Sequence, residues 1–169
     1  VGDSDEIQLF VDIGTHGEMV LGNRDWLLAC SCSAGPAFEG AGIKFGMRAV
    51  RGAIERVEID PERDEVRYRT IGGIRPLGIC GSGLIDCISS LRRAGVIERN
   101  GAFNLGYRSK RMRLGAEGPE FVLVWGEESG NGEDIIIAES DVKNLIRSKA
   151  AVYAGIRVML RMVDMTPES

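Results

Sequence analysis

The sequence predicts a mixed α/β layer: a three-stranded antiparallel meander with flanking helices and a small β-rich insertion. Three observations predict it. The first thirty-odd residues hold three short strand-forming runs divided by turn residues. The stretch "GICGSGLIDCISSLRRAG" opens on glycines and then turns helical, and near the end of the chain apolar residues recur at helical spacing.

From Ile7 to Ile13, "IQLFVDI" is apolar on both faces except for Gln8 and Asp12. Such a run suits a strand buried inside a sheet, with Asp12 as an acid at its end. "EMVLG" and "DWLLACS" complete the meander around the Gly22-Asn23-Arg24 turn. "SAGPAFEGAGIKFGM" is too irregular for a long element and reads as a loop or short helix. Ala53 to Ile59 and Glu65 to Ile71 alternate around "DPERD" as a hairpin. A helix follows from Ser82 to Ala94, closed by Gly95. Gly101 to Asp134 forms the β-rich insertion, with a strand at Phe121 to Trp125 and a loop at "GEESGNGED". The last helix spans Asp141 to Asp164, with Ser140 as N-cap and a stop at Pro167.

At 169 residues with 44% hydrophobic content, the chain is expected to form a single domain with a real core. Its 25 acids and 21 bases are spread without long runs, so neither a nucleic-acid nor a membrane partner is expected. No apolar stretch approaches the roughly 20 residues that span a bilayer, and no leader pattern opens the chain. A cytoplasmic protein is expected. Cys30, Cys32, Cys80 and Cys87 form no C-x-x-C pair and read as reduced, buried thiols. With His16 the one histidine, multi-histidine metal sites are excluded.

"DIGTHGE", Asp12 to Glu18, is the first candidate site. Gly14 and Gly17 can open backbone N–H groups to a phosphate, and Thr15 adds a hydroxyl. Asp12 is placed to hold a hydrated magnesium ion, while Glu18 could orient a water. An ordinary glycine hairpin with a solvated acid fits the same spacing. In "GICGSG", Gly81 and Ser82 sit where helix N-terminal amides bind anions, although close helix–sheet packing accounts for the glycines as well. Lys149 lies between Ile146 and Tyr153 on the apolar stripe of the last helix, either snorkelling to an edge or meeting a ribose or phosphate oxygen. Glu39 in "PAFEG" is read as a structural hydrogen-bonding acid.

"LFVDIGTHGEMVLGNRDWLLACSCSAGPAFEGAGI", "GMRAVRGAIERV", "GICGSGLIDCISSL" and "DVKNLIRSKAAVYAGI" together resemble the ATPase domain of the reductive activators of corrinoid proteins. The resemblance covers most of the chain. It implies an RNase-H-like half-domain of the actin, hexokinase and heat-shock chaperone superfold, a fragment of a larger actin-like ATPase domain. Such proteins spend ATP to return inactive Co(II) corrinoids to Co(I). The family's first "DIGTT"-type phosphate turn and its "AGGFG"-type adenosine motif are missing here, so Asp12 to Glu18 resembles the second phosphate turn.

The resemblance further implies ATP and magnesium as cofactors, with Asp12, Gly14, Thr15, His16, Gly17 and Glu18 around them. The family reads asparagine where this chain has His16. By analogy with the chaperone branch, Lys149 becomes a ribose or adenine contact. An iron–sulfur cluster is expected only in a domain outside this chain, the partner is a corrinoid protein of a methyltransferase system, and a homodimer is expected. An activator of a radical dehydratase shares the superfold, though "AGPAFEGAGI" suits the corrinoid branch better. A docking or dimerisation module without catalysis is the third reading.

Overall fold

The computed structural model describes residues 1–166, in the order β1 (Gln8–Ile13), β2 (His16–Gly22), β3 (Leu27–Ser33), β4 (Ala53–Asp60), β5 (Glu65–Thr70), β6 (Gly78–Ile79) and α1 (Gly81–Arg93). There follow β7 (Met112–Gly115), β8 (Gly118–Val124), β9 (Ile135–Ala138) and α2 (Glu139–Met162). Contacts group these into two compact units: Val1–Pro36 with the chain from Arg147 onward, and Ala37–Ile146.

The first unit is the expected meander, antiparallel in the order β1-β2-β3. Asn23 turns the chain between β2 and β3, its side-chain oxygen accepting the Asp25 and Trp26 N–H groups at 3.0 and 3.3 Å. On one face Met19 and Leu21 are buried, and they form a core with Val152, Met159 and Leu160 of α2. Two glycines set how closely helix and sheet approach. A Cβ on Gly17 would lie 2.9 Å from Cys32 Sγ, and one on Gly155 would lie 2.6 Å from Met19 Cε.

β1 is not the buried strand its composition suggests. It forms the outer edge of the sheet, and Leu9, Phe10 and Ile13 are 40%, 55% and 43% exposed. The apolar run is suited to neighbours on both sides, yet among the described residues β2 alone pairs with it.

The second unit pairs β4 with β5 as the expected hairpin, Asp60 Oδ1 accepting the Glu62 and Arg63 N–H groups at the turn. β6 adds a short parallel pairing to β4. The helix α1 lies on β4, burying Leu84, Cys87 and Leu91, and Ser90 Oγ donates to Val57 O at 3.1 Å. Its end at Ala94, with Gly95 at φ +76°, agrees with the sequence reading. The insertion is a β7-β8-β9 antiparallel sheet. It extends past Asp134, because "IIIA" of β9 is buried on both faces and shows no alternation.

The last helix starts earlier than expected, at Glu139, and Ser140 is an exposed first-turn residue rather than the N-cap. Asp141, the third helical residue, instead reaches back as in a capping box: its Oδ2 accepts the Ala138 N–H at 2.9 Å and its Oδ1 the Lys44 N–H at 3.0 Å. The helix ends at Met162, and Asp164, at φ +54°, carries the chain out of it with Met165 N–H donating to Leu160 O at 2.9 Å. The expected stop at Pro167 lies outside the described residues.

Candidate functional site

Strand pairing sets the geometry of the first candidate turn. Ile13 pairs with Gly17 and Asp12 with Glu18, so the loop narrows to Gly14, Thr15 and His16. Within it the Gly14 N–H donates to His16 O at 2.9 Å, and Thr15 O accepts the Gly35 N–H at 2.9 Å. These bonds hold the loop in shape, and they also commit the Gly14 amide. Gly17 is buried against Cys32 and Val152, so its missing side chain serves packing, whatever else the turn binds.

The carboxylates behave differently. Asp12 and Glu18 are directly opposed across an antiparallel pair, which puts both side chains on the sheet face away from Met19 and α2. Both are exposed, and neither side chain makes a hydrogen bond or ion pair among the described residues. Like charges directly opposite one another destabilise a sheet. A cation bound between them removes that repulsion, and Mg²⁺, which keeps most of its waters and takes one or two carboxylates, matches the donor set. No group of three or more His, Cys, Asp or Glu side chains suited to a metal exists among the described residues, so no closed protein cage competes with this pair.

His16 is exposed at the loop tip. Lys149 is exposed on α2 and does not lie on the buried stripe; Tyr153 beside it is 57% exposed. The helix buries Ser148, Val152 and Met159 instead, a row about 100° around the helix from Lys149. Lys149 therefore needs no snorkelling and stands free for a polar ligand.

In the second unit, the glycines of "GICGSG" are explained by packing. A Cβ on Gly81 would lie 2.0 Å from Phe38 O, one on Gly83 2.1 Å from Ile54 O, and one on Gly78 2.5 Å from Phe45 O. Of the two alternatives open in the sequence, close backbone approach accounts for these residues. Ser82 is exposed, and its hydroxyl lies 3.3 Å from Cys80 Sγ. A cleft of about 520 Å³ at this helix start is bordered by Glu39, Arg48 and Ser82.

The four cysteines are free thiols. Burial pushes the Cys87 thiol far above its ordinary range, with Asp141 and Asp86 adding to the effect. Cys30 and Cys32 are half-buried rather than buried, and the Cys30 thiol is raised by burial and then by neighbouring Cys32.

Sequence reasoning passed over one feature, a buried cation. Arg111 is 8% exposed and donates to Asp64 O, Val122 O and Leu123 O, with its guanidinium 5.5 Å from the Trp125 ring. The signal was the basic run "RSKRMR" in an acidic chain.

Residues 6–169 match the family described as the C-terminal domain of RACo, the ASKHA domain. The chain belongs to this family. Its fold is thus the actin-like ATPase fold, in agreement with the resemblance. The corrinoid activation enzyme RamQ of Eubacterium limosum is 39% identical over 157 residues, covering 89% of this chain and 26% of that relative. The [Co(II) methylated amine-specific corrinoid protein] reductase of Methanosarcina barkeri is 33% identical over 128 residues, 60% of this chain and 23% of that relative. A solved reductive activator for corrinoid, iron-sulfur protein superposes with TM-score 0.93 at 61% identity, covering 98% of this chain and 26% of its own. This ASKHA chain spans about a quarter of the length of the curated relatives it matches. No described helix is long and apolar enough to cross a membrane.

Proposed function

We propose that this chain is part of an ATP-dependent reductive activator that returns a Co(II) corrinoid protein to Co(I), and that the Asp12–Glu18 turn holds the magnesium and phosphates of ATP. The observation that carries this reading is the opposed, exposed carboxylate pair without a basic partner. Asp12 and Glu18 hold the hydrated ion, Thr15 and the loop backbone face the phosphates, and exposed Lys149 is a candidate for the ribose or adenine. Bound Mg-ATP supplies the free energy that a thermodynamically uphill electron transfer needs. The residues convert it by binding more tightly in one arrangement of the parent protein than in another, since a ligand shifts an equilibrium only by its differential affinity.

The relatives' names support a corrinoid protein as partner, in this reading one of a methyltransferase system, and the solved neighbour's name adds a corrinoid iron–sulfur protein. In this reading the chain is a fragment of a larger ATPase domain, cytoplasmic, with its iron–sulfur cluster in another domain. The exposed apolar side chains of β1 support an interface there in a homodimer.

The test uses the full-length parent polypeptide and follows reduction of Co(II) corrinoid iron–sulfur protein by absorbance, with and without Mg-ATP. Asp12→Asn is expected to lower the ATP-dependent rate about a hundredfold, the scale of losing one charge-stabilising group. An unchanged rate would leave a docking or structural module.

A further inference from the structure

The two most exposed large apolar side chains among the described residues, Leu105 and Leu114 at 79% and 80%, border the same cleft of about 420 Å³ on the insertion. Tyr107, Met112 and Arg108 line it with them. Single exposed leucines are ordinary, but two on one concave surface form a patch.

The patch is rigidly built. Asn104 Oδ1 accepts the Gly106 N–H at 3.0 Å while its amide donates to Gly95 O at 3.2 Å, which fixes the loop under Leu105. Asp64 receives Ser109 Oγ and the Lys110 N–H, and Arg111 is locked beneath by three backbone carbonyls. Leu114 stands on β7, paired to Pro119 of β8. Exposed side chains on a preformed surface lose little entropy on binding.

Charge gives the patch a sign. Residues 105–114 contain Arg108, Lys110, Arg111 and Arg113 and no acid, in a chain of net charge -4. Arg113 is neutralised by Glu120 and Asp134 at 2.8 and 2.7 Å. Arg108 and Lys110 are exposed, and their side chains have no partner among the described residues. A second copy meeting this patch across a two-fold axis would set these cations against their own counterparts.

We propose that this surface docks an acidic segment of the corrinoid protein, with an apolar side chain of the partner between Leu105 and Leu114 and its carboxylates on Arg108 and Lys110. The proposal rests on the functional reading above. The apolar pair supplies the buried centre of the contact, and the cations supply orientation and association rate.

The experiment titrates Co(II) corrinoid iron–sulfur protein into the full-length parent polypeptide by calorimetry, with KM for its reduction as a second readout. Leu105→Ser with Leu114→Ser, and separately Arg108→Glu with Lys110→Glu, are expected to weaken binding roughly tenfold or more. Arg92→Glu, half that charge change on α1, retains wild-type affinity, as does Arg108→Lys. Thermal melts of each variant report folding. If the wild type binds and reduces while both double variants match it, the docking surface is elsewhere and the functional reading stands. A wild type that neither binds nor reduces the Co(II) protein overturns both.

Discussion

Several acids of the second unit are paired with bases in a network around its sheets. Asp134 bonds Arg113, Arg113 bonds Glu120, and Glu120 lies 3.7 Å from Lys44; Glu139 pairs with Lys143, and Arg69 bonds Glu55. In the meander, Asp12 and Glu18 face each other, and neither side chain makes an ion pair among the described residues. The difference separates charge that builds a fold from charge kept ready for something else. Glycines divide in a parallel way: those of "GICGSG" are filled spaces between backbones, while the Gly14 loop tip stays near the surface.

The sharpest way to break this comparison is Gly83→Ala. If the glycine serves packing, a Cβ 2.1 Å from Ile54 O must displace α1 from β4, at a cost of about 3 kcal/mol in thermal or urea unfolding. A variant that unfolds like wild type but binds nucleotide poorly would reverse the assignment.

Asp134 gives a smaller effect. Its carboxyl is held below the ordinary range by the Arg113 hydrogen bond, with the Gly126 N–H helping against the opposing effect of burial. A lowered folded-state value means the stabilisation is present above the unfolded carboxylate range and is lost as pH falls through the folded one. Asp134→Asn should cost about 1 kcal/mol at neutral pH and flatten the acid limb of a stability profile. A variant with an unaltered acid limb would remove Asp134 from the structural group.

The smallest effect has the opposite sign. Glu18→Gln relieves the facing charges and is expected to raise stability without magnesium by about 0.3 kcal/mol while slowing ATP-dependent reduction. Destabilisation by Glu18→Gln would mean that the pair is structural.

Much of the fold was legible because local rules agree with the tertiary outcome. The meander, the Pro61 hairpin, and α1 with its Gly95 exit all follow from alternation and turn chemistry. β9 was not legible, since four buried apolar residues show no period. Ser140 looked like a cap because serine favours that position, but the helix starts one residue before it and the Asp141 carboxylate reaches back to Ala138 instead. Lys149 was placed on the wrong row because an apolar stripe drawn through Tyr153 does not show which side of it the sheet covers.

Residue order and strand period alone suffice for the family, the meander and the carboxylates that flank its turn. Tertiary structure decided that Asp12 and Glu18 share one register step, that Gly17 and Gly81 are held by neighbouring atoms, and that β1 is an open edge. Pairing partners and close approaches join residues whose separation along the chain carries no distance, so only the folded backbone can assign them.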